Sequence, residues 1–161
     1  MIDEETAAST WREVSQMGSH KARRAMEQLG RKQPALLAFV MARTSKLSAD
    51  AQELAVYMFF VVYRMFEKKA EKLRRVSERD IEAALTGNEQ TLERLEPAHD
   101  RFLERQAIAF QSDEPFVLRY IVTTLLEPTD EDDPIELTEE EEGTILLYLK
   151  TAVDALHRAV S

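Results

Sequence analysis

Leu54-Ala55-Val56-Tyr57-Met58-Phe59-Phe60-Val61-Val62-Tyr63-Arg64-Met65-Phe66 is the stretch that decides the fold. Arg64 is its only charge, and it contains neither glycine nor proline. A helix that is apolar on every side is buried on every side. The run is also too short to cross a bilayer, which takes about 20 apolar residues. Five of the chain's twelve aromatic residues lie in it, so it reads as the central shaft of a helical bundle. Ser48 upstream suits the N-cap, where a side-chain oxygen accepts from an orphan backbone N–H. Downstream, the same helix is predicted to run on into a basic stretch and to emerge into solvent over Lys68 to Arg75.

Outward from the shaft, apolar residues recur at three- and four-residue spacing, the period of a helix. Only four glycines and five prolines interrupt the chain, and no Asn-Gly or Asp-Gly hairpin turn is present. On the N-terminal side, one helix is predicted from about Asp3 to Met17, with Trp11 and Val14 on one side. A second runs from Ser19 to Leu29 and stops at Gly30, a residue tolerant of the left-handed C-terminal cap. Pro34 opens a third, where its missing N–H costs nothing; that helix is expected to bury Leu36, Leu37, Phe39, Val40 and Met41. On the C-terminal side, Ser77 and Asp80 have the spacing of a capping box, and Gly87 is expected to end the short helix they open. Glu89 to Gln111 reads as helical, with Pro97 kinking it or starting a new helix. Pro115 introduces an apolar helix over Phe116 to Leu126. Thr138 and Glu141 form a second capping box, and a last helix runs to about Val160 on a stripe of Ile145, Leu149, Val153, Leu156 and Val160. The expected fold is all-α: a single-domain bundle of about six to eight helices around Leu54–Phe66, spanning residues 1–161, with an acidic loop at about 127–138.

The length of 161 residues suits one domain. There is no cysteine, which removes disulfides, thiolate metal sites and cysteine nucleophiles together. Met1 to Glu5 is acidic and lacks the basic-then-apolar pattern of a secretory signal, so the expected compartment is the cytoplasm, with no membrane span. The net charge of −9 is local. Ten acids and no base lie between Glu127 and Glu142, and the rest of the chain stands at +1. The opposite pole is Arg64 to Arg79, with Arg64, Lys68, Lys69, Lys72, Arg74, Arg75 and Arg79 against Glu67, Glu71 and Glu78.

Four kinds of chemistry can be tested against these residues. Glu96 with His99 and Asp154 with His157 each have the i, i+3 spacing that presents two ligands on one helix face in di-metal bundles. The other helices of such a bundle would each have to supply an inward acid, and Leu54–Phe66 and Phe116–Leu126 contain none. In an EF-hand alignment, Asp130, Asp132 and Glu141 take positions 1, 3 and 12. Pro134 then falls on a ligand position and Ile135 where glycine is required. Clustered bases reward phosphate contact, but Glu67 and Glu71 interleave the basic stretch. A helix-turn-helix outline over Ser77 to Leu95 places Glu89 and Glu93 where bases are needed, which argues against nucleic acid. No Gly-x-Ser-x-Gly elbow, phosphate-cradling glycine loop or His-Glu-x-x-His motif occurs. No catalytic residue, metal ligand or cofactor is therefore expected.

The remaining expectation is a small helical protein that acts by contact with a protein partner or by self-association. Its candidate surfaces are Lys68, Lys69, Lys72, Arg74, Arg75 and Arg79 on one pole and Asp130, Glu131, Asp132 and Asp133 on the other. If the poles meet, within or between chains, stability or association should weaken as salt screens exposed pairs.

Overall fold

The computed structural model describes residues 1–94, 112–127 and 135–160. Within them the protein is an all-α bundle of seven helices: α1 (Glu4–Ser15), α2 (Ser19–Lys32), α3 (Pro34–Arg43), α4 (Ala49–Lys69), α5 (Glu78–Glu93), α6 (Pro115–Leu126) and α7 (Glu139–Ala159). None of them is long and apolar enough to cross a membrane.

α4 is the axis. Ser48 caps it, its hydroxyl accepting from the Ala51 N–H at 3.1 Å. Met58 through Tyr63, Met65 and Phe66 are all buried, each large side chain contributing roughly 1.5–3 kcal/mol. α7 lies against α4 and supplies Ile145, Leu146, Leu149, Ala152, Val153 and Leu156 to the shared core. Thr138 and Glu141 form the expected capping box, and Glu141 also accepts from the backbone N–H and hydroxyl of Ser48 at 3.1 and 2.9 Å. One carboxylate thus ties together the starts of the two longest helices. α3 packs on both, α2 on α3 and α4, and α5 on α7 and α3. α1 and α6 pack on α4 and on each other. Burial of the shaft is interrupted at Tyr57, which is 37% exposed between buried Ala55 and Met58.

Helix ends differ from the sequence expectation where packing overrides a local signal. α2 runs through Gly30 to Lys32 and α5 runs through Gly87 to Glu93. Glycine costs only about 1 kcal/mol in a helix interior. Buried Leu29 sits beside the first, and buried Leu85 and Asn88 flank the second. α4 ends at Lys69 instead of continuing to Arg75, and Ala70 turns extended. The strap that follows is held at both sides. Leu73 bridges to Val160, and the Arg74 N–H donates to the Ala159 carbonyl at 2.9 Å. On the other side, the buried amide of Gln33 donates to the Arg74 carbonyl and accepts from the Val76 N–H, both at 2.9 Å. Met41, expected to be buried, is exposed, and so are Trp11 on α1 and Val160 at the end of the α7 stripe.

Candidate functional site

The basic pole is largely spoken for. Lys68 pairs with Glu13, Lys69 with Asp3 at 3.3 Å and Arg74 with Asp80 at 3.3 Å. Arg64 meets Glu67 at 2.6 Å and Glu13 at 3.4 Å. Arg75 donates to the Arg31 carbonyl at 2.9 Å, and Lys72 is also engaged. The acids respond as expected: hydrogen bonding from Lys68 lowers the Glu13 pKa, and that from the Ser77 backbone N–H lowers Asp80. Arg79 is exposed, with no partner among the described residues. Asp130, Glu131, Asp132 and Asp133 lie outside the described residues, as do Glu96 and His99.

The second acid–histidine pair diverges. Asp154 faces α5, accepting from Lys150 at 2.5 Å and from Asn88 at 3.1 Å. Lys150 is only 3% exposed and also reaches Asn88 at 3.3 Å, while Asn88 donates to Thr151 at 3.2 Å. This network joins α5 to α7 through buried polar groups that satisfy one another. His157 faces the other way, its Nδ1 lying 2.8 Å from the buried carboxylate of Glu114. Glu114 also accepts from the Ile2 N–H at 2.8 Å. The two side chains thus serve separate contacts, and no group of three metal-ligating side chains occurs among the described residues.

The open site lies elsewhere, between α1 and α6 over α4. One face of α1 buries Ala7, Thr10 and Val14; the adjoining face presents Glu4, Ala8, Trp11 and Ser15 to a cavity of about 790 Å³. α6 buries Val117, Leu118, Ile121 and Leu125. Its adjoining face lines the same cavity with Phe116, Tyr120, Thr123 and Glu127. Leu54 and Tyr57, one turn apart on α4, form the floor, and Ala7, Arg119 and Thr124 also line the cavity. Each wall spans about three helical turns, roughly 16 Å at 1.5 Å per residue. The Ile2–Glu114 bond and the Arg119–Glu4 ion pair at 2.6 Å hold the starts of the walls together.

Four aromatic side chains line this groove: Trp11, Tyr57, Phe116 and Tyr120. None of their rings forms a stacked or edge-on pair with another aromatic ring among the described residues, where the one such pair is Phe39 with Tyr148. Trp11 is 44% exposed. Arg119 lies over the Phe116 ring at 5.1 Å from its centroid. Burial raises the Tyr57 and Tyr120 hydroxyls above the usual phenol pKa. Tyr120 stands near Thr124, yet its buried Oη has no partner of hydrogen-bonding geometry.

The groove as a whole is not legible in the sequence; of its lining, Tyr57 alone can be read there as a ligand-pocket residue, in company with Arg64 or Tyr63, and more simply as a core aromatic. The available signal was the second apolar stripe on two helices that each need only one to reach the core: Ala8 and Trp11 beside Ala7 and Val14, and Phe116 and Tyr120 beside Val117 and Ile121.

No family model, curated protein or solved structure matches the chain.

Proposed function

We propose that this protein is a docking module that receives a helical segment of a protein partner in the groove between α1 and α6. The observation that carries the reading is the pattern of the lining. Two parallel stripes, each at i, i+3/i+4, i+7 spacing over three turns, leave a slot of helix length floored by Leu54 and Tyr57. Helix-in-groove recognition uses a complementary stripe of apolar anchors on the incoming segment. The volume lies in the range of functional pockets, about 300–1,000 Å³. Trp and Tyr are the residues that most often dominate interface energetics, and exposing Trp11 and Tyr57 to water without a partner forgoes burial worth kilocalories. Glu127 stands at one end of the slot, while Glu4 at the other is paired with Arg119, so the segment that suits it has an apolar stripe with a Lys or Arg at the Glu127 end.

Selection of helical peptides from a displayed random library against the immobilised protein tests this. The expected result is enrichment of sequences with apolar anchors at i, i+3/i+4 and i+7 and a base at one end, their binding lost in Trp11→Ala and Tyr57→Ala. Failure to enrich any sequence, or enrichment of peptides indifferent to both substitutions, would overturn the reading.

A further inference from the structure

The helical hairpin of α2 and α3 is a basic island on an otherwise acidic chain. From Gly18 to Ser48 there are seven bases, Lys21, Arg23, Arg24, Arg31, Lys32, Arg43 and Lys46, against Glu27 alone. That is a local charge of +6, which leaves −15 on the rest of the chain. Lys21, Arg23 and Arg24 are exposed on α2 and have no ion-pair partner among the described residues. The fold brings Glu67 to Lys32 at 3.4 Å and Asp80 to Arg74 at 3.3 Å, and it adds Arg75 beside the island. Gln33, 1% exposed, fastens the strap carrying Arg74 and Arg75 to the end of α2, and Arg75 donates to the Arg31 carbonyl. Bases more than forty positions apart are thereby set side by side by a buried amide that uses both its oxygen and its nitrogen.

We infer that this face is a second binding surface and that it takes a short acidic segment of a protein partner. Charge complementarity sets the sign, and dimensions select the class. α2 has 14 residues, about 21 Å at 1.5 Å per residue. A comparably short run of Asp and Glu fits within the island and meets opposite charge along its whole length. A nucleic-acid duplex carries its charge on past the island, about one negative charge per 1.7 Å, and meets the acidic remainder of the molecule. Exposed arginines without an ion-pair partner among the described residues also offer planar forks that donate to carboxylates in bidentate fashion. This surface is independent of the groove, which lies against the other neighbours of α4.

Fluorescence anisotropy of a labelled, glutamate-rich peptide of about the length of α2, titrated with the full chain, tests the inference. The peptide is expected to bind at low ionic strength, to weaken steadily with added salt, and to lose about tenfold or more in affinity in the double variant Arg23→Glu, Arg24→Glu. Arg12→Glu, the same kind of charge reversal on exposed α1, is expected to change it little. Both variants alter exposed side chains, and circular dichroism melting checks that each remains folded. Absence of peptide binding at low salt would overturn the inference, as would equal loss in Arg12→Glu. A single-stranded oligonucleotide or an anionic phosphatidylserine vesicle that binds more tightly than the peptide would also overturn it.

Discussion

α4 has two unlike sides. Where α7 covers it, Phe59, Met58 and Phe66 are sealed from water in a core with Leu149, Val153 and Leu156. Where α1 and α6 flank it, Leu54 and Tyr57 look into an open groove. Both sides carry large apolar or aromatic residues, so hydrophobicity alone does not distinguish them. Coverage does, because α7 supplies a continuous apolar stripe to one side, whereas α1 and α6 divide their apolar residues between the core and the groove. On the closed side substitutions should act on stability; on the open side they should act on binding.

The largest effect expected is on the closed side. Phe59→Ala leaves a cavity among fully buried neighbours and should cost about 3–5 kcal/mol, read as a lowered urea midpoint. Asp154→Ala removes the carboxylate nearest the buried Lys150 ammonium. It should cost about 2–3 kcal/mol, since Asp154 is itself partly exposed. On the open side the ranking reverses: Trp11→Ala should change stability by about 1 kcal/mol or less, yet weaken a groove-selected peptide by about 2 kcal/mol or more. A large loss of stability with unchanged peptide affinity would place Trp11 in the core and dissolve the contrast. Gly87→Ala, with nothing within 4 Å of the added Cβ, should stabilise α5 by about 0.5–1 kcal/mol. Destabilisation there would mean that the glycine serves a purpose other than tolerance.

The smallest effect is electrostatic. Hydrogen bonds to Thr6 at the start of α1 hold Asp3 down at about 2, and hydrogen bonds from the backbone of Thr138 and Ser48 lower Glu141. A carboxylate bound less readily by protons when folded stabilises above its unfolded pKa and loses that contribution as pH falls through its folded pKa. The melting temperature should therefore decline below about pH 4–5, with the Asp3 share lost towards about pH 2. Asp3→Asn should flatten that decline slightly; a melting curve indifferent to acid would contradict the caps.

Much of the architecture was legible because it rests on local rules. Leu54–Phe66 announced the shaft, Pro34 and Pro115 fell at helix starts, and Ser77–Asp80 and Thr138–Glu141 formed the capping boxes their spacing implied. Gly30 and Gly87 misled because a glycine's local cost is smaller than the packing of the buried residues beside it. The charge pattern misled for a related reason. Arg64 to Arg79 stood out by count, but folding brings Glu13, Asp3 and Asp80 to its bases, whereas Lys21, Arg23 and Arg24 stay exposed. The groove was hidden because it exists only once two helices separated by a hundred residues lie side by side. Nothing in the period of either stripe says whether water or a neighbour will cover it.

Trp11 is the chain's only tryptophan, so its emission reports on the groove without labelling. Titrating a library-selected helical peptide into the protein should give a saturable blue shift as Trp11 leaves water, weakened in Tyr57→Ala. Tight binding of that peptide with the Trp11 emission unchanged would contradict the assignment of the groove as the docking site.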